Sequence, residues 1–298
     1  MKPLNQQQEN DRSIPATKGV YRVANANEGS LWLKEAVVLV KQSPGSWIGV
    51  AAFLMFLLIL PMVNLIATIL MPIALGGIML GCRSQQANLG FKFDHLFEGL
   101  KHDARELLIL SGFYALALLV VNLLTHALLL LVGIDYQEVI ANMTPQANMT
   151  TDKQMFEWFT QLQEDGTLLY LALGMLVSLA LLIPVLMALW FAPALVVFQK
   201  MTALKALHTS FKACHYNFKA FLVYGLIGFG YLMMGYFLMI TVAVILPLLG
   251  LPLFLFSFFV LFAISLATIY PSYISLFENE NNNELKPGEN QSDSSMLA

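Results

Sequence analysis

Residues 203–276 read ALKALHTSFKACHYNFKAFLVYGLIGFGYLMMGYFLMITVAVILPLLGLPLFLFSFFVLFAISLATIYPSYISL. The stretch opens as a basic amphipathic segment, 203–218, and then runs from Ala220 to Phe277 without one Asp, Glu, Lys or Arg. Those 58 uncharged residues are far too apolar for a water-facing domain. A helix crossing the hydrocarbon layer needs about 20 residues, so they supply two crossings, divided at the turn-forming segment 247–252. The unit is a surface helix followed by a hairpin of two spans. It occurs three times, over about 30–88, 89–202 and 203–277.

Composition agrees with this reading. Of 298 residues, 58% are hydrophobic and 12% charged, about half the charge of a soluble domain, and mean hydropathy is +0.68. A net charge of −3 does not imply a nucleic-acid partner, and the lipid bilayer is the expected partner. Cys82 and Cys214 fall at predicted span ends and read as small apolar residues. No phosphate loop, H-E-x-x-H, G-x-S-x-G or Cys/His cluster is present, so no catalytic residue, cofactor or metal is expected.

Taken in order, residues 1–29 are polar and aperiodic and predict a disordered tail. No short apolar core with a cleavage pattern stands there, so the first span is expected to serve as the insertion signal. Ser30 is the expected N-cap of a first surface helix from Leu31 to about Gln42, with Trp32, Leu33, Ala36, Val37 and Val40 on one face. Residues 42–82 carry no formal charge and predict spans at about 47–64 and 66–84, the join being weakly marked by Pro61 and Asn64. The alternative is one long kinked helix. Phe93, Leu96, Phe97 and Leu100 predict the second surface helix, and 107–134 the third span. The loop 135–165 carries six acids and one base, and holds Ala-Asn-Met-Thr twice, at 141–144 and 147–150. That matches a glycan acceptor pattern but reads more simply as a polar repeat. Residues 166–199 exceed one span, so the helix is expected to tilt, extend or break at Pro184 or Pro193. Leu204, Leu207, Phe211, Cys214 and Phe218 predict the apolar face of the third surface helix. The acidic, Asn-rich 278–298 predicts a second disordered tail.

With six spans, the fourteen Lys and Arg residues before span one, between spans two and three and between spans four and five all fall on one face, which the positive-inside rule makes cytoplasmic along with both termini. The predicted fold is an all-α, six-span membrane bundle with three amphipathic helices on the cytoplasmic side.

Within the spans, Asn122 and His126 lie one turn apart, and Asn64 and Thr68 make a similar pair. Polar groups at membrane depth are functional candidates, and His126 fits a proton relay or a substrate contact. The plainer reading is an interhelical hydrogen bond, worth about 0.6 kcal/mol. It is preferred because no Asp, Glu, Lys or Arg accompanies the pair at that depth. Pro72, Pro184 and Pro193 are candidate helix breaks of the kind that expose backbone groups in transporters. Gly76, Gly77, Gly225, Gly228, Gly230 and Gly235 are small residues that permit close helix packing. Lys92, Lys101, Lys205 and Lys212 are candidate contacts to anionic lipid headgroups.

Several phrases are familiar: Trp32-Leu33 with Pro44-Gly45 and Trp47; Leu96-Phe97-Glu98-Gly99; Trp190 to Val196; Ser210 to Cys214; Asn217; and Phe221-Leu222-Val223-Tyr224. Across roughly 30–277 the chain resembles a family of uncharacterised proteobacterial inner-membrane proteins. More loosely, in pattern only, it is similar to the membrane domain attached to some glycerophosphodiester phosphodiesterases. The first resemblance implies a bacterial inner-membrane location and carries no assigned activity. The second implies a link to lipid metabolism, though no phosphodiesterase domain lies in these 298 residues. The expected function is therefore non-catalytic: a structural, interaction or lipid-associated protein of the envelope, with an envelope protein or a second copy as partner. The rival is a small-solute transporter or channel with a site near Asn64, Thr68, Asn122 and His126.

Overall fold

The computed structural model describes residues 21–142 and 151–278. Among the described residues the chain is all-α, without strands. The helices are α1 (Glu28–Gln42), α2 (Pro44–Ile59), α3 (Pro61–Gln86), α4 (Gly99–His102), α5 (Ala104–Leu131), α6 (Tyr136–Asn142), α7 (Asp152–Glu164), α8 (Thr167–Trp190), α9 (Ala192–Gln199), α10 (Ala203–Tyr216), α11 (Phe218–Ile245) and α12 (Pro247–Tyr273). A 3-10 turn, Phe93–Phe97, precedes α4, and a π turn, Ile274–Glu278, extends α12.

Among the described residues four stretches are long and apolar enough to cross a membrane: Ala104–Leu131, Thr167–Gln199, Phe218–Val242 and Leu248–Glu278. α1 and α2 form a fifth if counted as one broken span, bent by 105°. Pro44, Pro61, Pro193 and Pro247 all stand in the first turn of a helix, where a missing N–H leaves nothing unsatisfied. Pro72 and Pro184 lie inside α3 and α8, which continue through them. The break in 166–199 falls at Phe191, with Pro193 in the first turn of α9, so of the two expected positions it is the Pro193 one that is used. The turn expected over 247–252 contracts to Leu246, and Pro252 is taken into α12.

The join between α2 and α3 is the single extended residue Leu60, at φ −74° and ψ 114°, a few residues before the sequence places it. The two helices run antiparallel. The indole Nε1 of Trp47, near the start of α2, donates to Gln85 Oε1, near the end of α3, at 3.2 Å. One long kinked helix is thereby excluded.

The surface elements depart from expectation in three ways. α1 begins at Glu28, and Ser30 does not cap it; its hydroxyl donates to the Asn27 carbonyl within the helix start. Residues 21–29, assigned to a tail by composition, are held against the rest of the chain. The remainder of that tail, and 279–298, lie outside the described residues, as does most of the Ala-Asn-Met-Thr repeat. The second surface helix is split into the 3-10 turn and the single turn of α4, because the His95 ring accepts the Lys92 N–H at 2.9 Å and closes a tight turn. In α10 the expected apolar face divides: Cys214 is buried and Leu207 half-buried, beside the buried Ala206, Ser210 and Ala213, while Leu204, Phe211 and, at the start of α11, Phe218 are exposed. Small side chains let α10 lie close on α8 and α9.

Three joints between a surface element and the following helix share a form. Ser43 (φ −141°, ψ 59°), Asp103 (φ −134°, ψ 34°) and Asn217 (φ −103°, ψ 18°) each interrupt the helix for one residue. The core gathers at these joints. Trp47 and Val50 of α2, Ile78 and Met79 of α3, Leu107 and Leu110 of α5, Ala194 to Val197 of α9, and Ala267, Ile269, Tyr270 and Tyr273 of α12 are buried in one cluster. Trp47 stacks on Phe91 at 4.1 Å and 7°, a pairing worth about 0.5–1.5 kcal/mol beyond its area. The opposite halves of α5, α8 and α11 expose row upon row of Leu, Phe and Met.

The glycines divide accordingly. A methyl group on Gly29 would stand 2.0 Å from the Ala220 carbonyl oxygen, and one on Gly77 2.2 Å from that of His95, so α1 and the 3-10 turn rest directly on bare backbone. Nothing lies within 4 Å at Gly225, Gly228 or Gly230, and Gly235 meets only the Ser257 hydroxyl at 3.8 Å; these do not serve packing within the chain. Thermal unfolding in detergent should separate the two classes. Gly29→Ala is expected to lose about 1–3 kcal/mol or more, since backbone must move, whereas Gly225→Ala is expected to be neutral or stabilising by up to about 1 kcal/mol through helix propensity.

Candidate functional site

A cluster of polar side chains sits at the joint end, where the last turns of α3, α9 and α12 meet. α3 delivers Arg83 and Gln86, α9 delivers Phe198 and Gln199, and α12 delivers Tyr270 and Tyr273. The Arg83 guanidinium lies 3.7 Å over the centre of the Phe198 ring. It also pairs with the Glu278 carboxylate and hydrogen-bonds Tyr270. The Tyr270 hydroxyl donates to Gln86 Oε1 at 2.6 Å, and the Gln199 amide donates to the Tyr273 hydroxyl at 3.3 Å. Three helices are thus tied by one cation, one carboxylate and two phenols, at the level where apolar side chains give way to polar ones.

Beside the cluster, α1, α3 and α12 enclose a groove of about 480 Å³. Its wall is mixed: Val38, Leu39 and Ile274 are apolar, while Glu35, Gln42 and Gln86 are polar. Partial burial, and secondarily the nearby Glu28 charge, push the Glu35 carboxyl above the usual range.

Each joint is tied by polar contacts to another segment. At the first, the Gln85 amide donates to the Leu39 carbonyl at 2.7 Å and to Gln42 Oε1 at 3.2 Å. At the second, Asp103 pairs with Lys200 at 2.7 Å, and Glu106 accepts the Ala203 N–H at 2.8 Å. At the third, Asn217 is 1% exposed. Its Oδ1 accepts the Ala24 N–H at 2.6 Å, and its amide donates to the Arg22 carbonyl at 3.1 Å and to the Ala213 carbonyl at 2.8 Å. Arg22 pairs with Glu28 and donates from Nε and Nη2 to Ser275, and its N–H reaches the Leu276 carbonyl at 3.0 Å. The beginning of the described chain is thereby clasped to its end.

Asn122 is exposed, and its amide donates to the Leu118 carbonyl of its own helix at 2.9 Å. His126 is half-buried and meets the edge of Tyr136, ring centres 6.3 Å apart. The buried polar residue of that turn is Thr125, whose hydroxyl lies 3.2 Å from that of Ser178 across α5 and α8. Thr68 is half-buried on α3, and the side chain of Asn64 lies outside the described residues. Lys92, Lys101 and Lys205 are exposed, and Lys212 is half-buried. Arg83, Tyr270, Tyr273 and the Arg22–Glu28 pair were not singled out from the sequence. The available signal was Arg83 itself, a cation directly abutting 41 uncharged residues, which reads equally well as a topology-setting charge.

No protein-family model matches the chain, and neither the curated proteins nor the solved structures contain a match.

The clasp has a pH signature. Burial works to raise the Glu28 carboxyl, but hydrogen bonds from Arg22, the Asn25 N–H and Ser275 outweigh it and hold the group below the usual range. The folded state therefore binds this proton less readily than the unfolded chain does. The stabilisation is complete above the ordinary Glu pKa of about 4.3 and is lost as pH falls through the lowered folded value. In detergent, the melting temperature of the wild type should fall more steeply below about pH 4 than that of Glu28→Gln. Parallel slopes would show that the pair does not hold residues 22–28 to the end of α12.

Proposed function

We propose that this chain is a six-crossing integral protein of a bacterial inner membrane, without catalytic activity, serving a structural or interaction role tied to envelope lipids. The observation that carries the reading is the threefold recurrence of one joint, at Ser43, Asp103 and Asn217. Each surface element also rests on the hairpin of a different unit. The 3-10 turn packs on α2 and α3, α10 packs on α5 and α8, and α1 packs on α11 and α12. The pattern is cyclic, and it supports three units of one surface element and two crossings each.

At 1.5 Å per residue the 16 residues of α2 reach about 24 Å, short of the ~30 Å hydrocarbon layer. A crossing of that length is accommodated by local thinning. The clustering of Lys and Arg on the joint side supports cytoplasmic termini. A lipid-linked role draws support from the bare apolar halves of α5, α8 and α11 and from the resemblance to phosphodiesterase membrane domains. Transport draws less: Asn122 turns to its own backbone, and Arg83, Phe198, Tyr270 and Tyr273 fill the space where α3, α9 and α12 meet.

Reporter fusions after residues 150 and 290 test the topology. Export of the first with retention of the second is expected, and export of both or of neither would overturn six crossings. Purification in mild detergent with mass spectrometry of what accompanies the protein tests the role. Retained phospholipid or an envelope protein is the expected result. A small solute bound within the bundle would favour transport instead.

A further inference from the structure

Leu108, Gly112, Ala115, Leu119, Asn122 and His126 of α5 are spaced alternately by four and three. That alternation keeps them on one side of a helix, in the seam by which two helices pack lengthwise. The whole seam lies inside one uninterrupted helix. It is not the buried side of α5, which carries Val121, Thr125 and Leu129 and where Thr125 meets Ser178 of α8. Leu108 is 51% and Leu119 56% exposed. Gly112 and Asn122 are exposed, and Ala115 and His126 are half-buried, His126 against the Tyr136 ring.

Asn122 sets this side apart from an ordinary lipid-facing surface. It stands fifteen residues beyond Leu107, where the uncharged stretch begins, which is about 22 Å along the helix. If α5 crosses, a carboxamide is thereby placed inside a hydrocarbon layer ~30 Å thick, on the outside of the bundle. Its amide donates to the Leu118 carbonyl at 2.9 Å, and among the described residues its oxygen has no partner. Lipid tails supply none, and polar groups at such depth turn inward or bond another helix. A carboxamide is both acceptor and donor, so an identical carboxamide completes it, and a two-fold pair of copies brings the two to the same point. Copies inserted the same way run their α5 helices in parallel, each residue beside its like. Gly112 permits the approach: a methyl group there would meet nothing within 4 Å in its own chain, so bare backbone is open to a neighbour. The seam carries no charge to oppose the contact.

We propose that this side of α5 is a self-association face, on which a second copy of the chain packs its own α5 in parallel, with the Asn122 carboxamides hydrogen-bonded across the two-fold axis. The assignment rests on the membrane reading above and names the partner in the interaction role. An interhelical hydrogen bond of this kind is worth about threefold to thirtyfold in association.

The test uses the full chain in phosphatidylcholine vesicles, with donor-labelled and acceptor-labelled copies mixed and energy transfer followed as lipid is added. Wild type should dilute as a dimer. N122L should associate at least about threefold more weakly, and G112L, which fills the open backbone, should not associate. Both should leave the melting temperature of the dissociated copy in detergent unchanged. Oxidative crosslinking reads the same face independently. L119C on the seam should crosslink, and V120C, about 100° further round the helix, should not; the native Cys82 and Cys214 are buried. Unchanged dilution curves in N122L and G112L, or equal crosslinking at both positions, would overturn the proposal. Two outcomes within one copy would do the same. A gain in association on replacing residues 143–150 with a Gly-Ser linker would show that this segment covers the seam. Non-additive melting temperatures of N64L and N122L in the dissociated copy would make Asn64 the partner. Failure with the chain still held in vesicles overturns the seam alone, whereas a chain that stays monodisperse without detergent overturns the membrane reading with it.

Discussion

One side-chain amide, that of Asn217, makes three hydrogen bonds that join residues 22–24 to α10. It takes the Ala24 N–H, gives hydrogens to the Arg22 and Ala213 carbonyls, and stands at the point where α10 stops and α11 starts. A helix that breaks near hydrocarbon leaves backbone groups without water to satisfy them, so the break persists only where a side chain supplies the missing partners. Asn can do this with both an acceptor and two donors. Through it the N-terminal segment is fixed on α11, and through Arg22 the same segment is fixed on the end of α12. The clasp lets α1 pack on the last hairpin and thereby joins the first and last parts of the described chain.

That closure explains how the packing is distributed. Burial is deep around the joints and sparse along the far halves of α5, α8 and α11. In a bilayer there is no hydrophobic gain from pressing leucine against leucine, because the lipid tails already provide an apolar surroundings. The tight contacts arise instead where backbone meets backbone at Gly29 and Gly77, where aromatic rings stack, and where polar groups need partners. Arg83 follows the same rule. A guanidinium at the edge of the apolar zone is held by a ring face, a carboxylate and a phenol, one from each of three segments. Its removal would cost the convergence of α3, α9 and α12 as well as one ion pair.

Much of the architecture was legible in the residues. Long uncharged stretches can only be helices if they enter hydrocarbon, because only helices satisfy their own backbone there, and the positions of the major helices followed. The boundaries were less legible where proline was involved. Proline is tolerated in first turns and in membrane helices alike, so Pro72 and Pro184 are taken into helices, while the breaks at Leu60 and Phe191 stand directly ahead of the first-turn Pro61 and Pro193. The candidate polar residues of the spans were legible as types and not as contacts. Asn122 can bond a neighbouring helix or its own, and nothing local distinguishes the two.

The residues by themselves determined the helical class, the apolar stretches fit to cross a membrane and the charge asymmetry, since these depend on composition within one turn or one span. Only the tertiary structure decided that residues 21–29 are a clasp, that α10 turns Leu204 and Phe211 outward, and that Arg83 meets Tyr270 and Glu278. Those outcomes depend on which backbone can come near enough to touch. That is governed by small residues and by hydrogen-bond partners as much as 253 positions away, beyond the reach of any local periodicity.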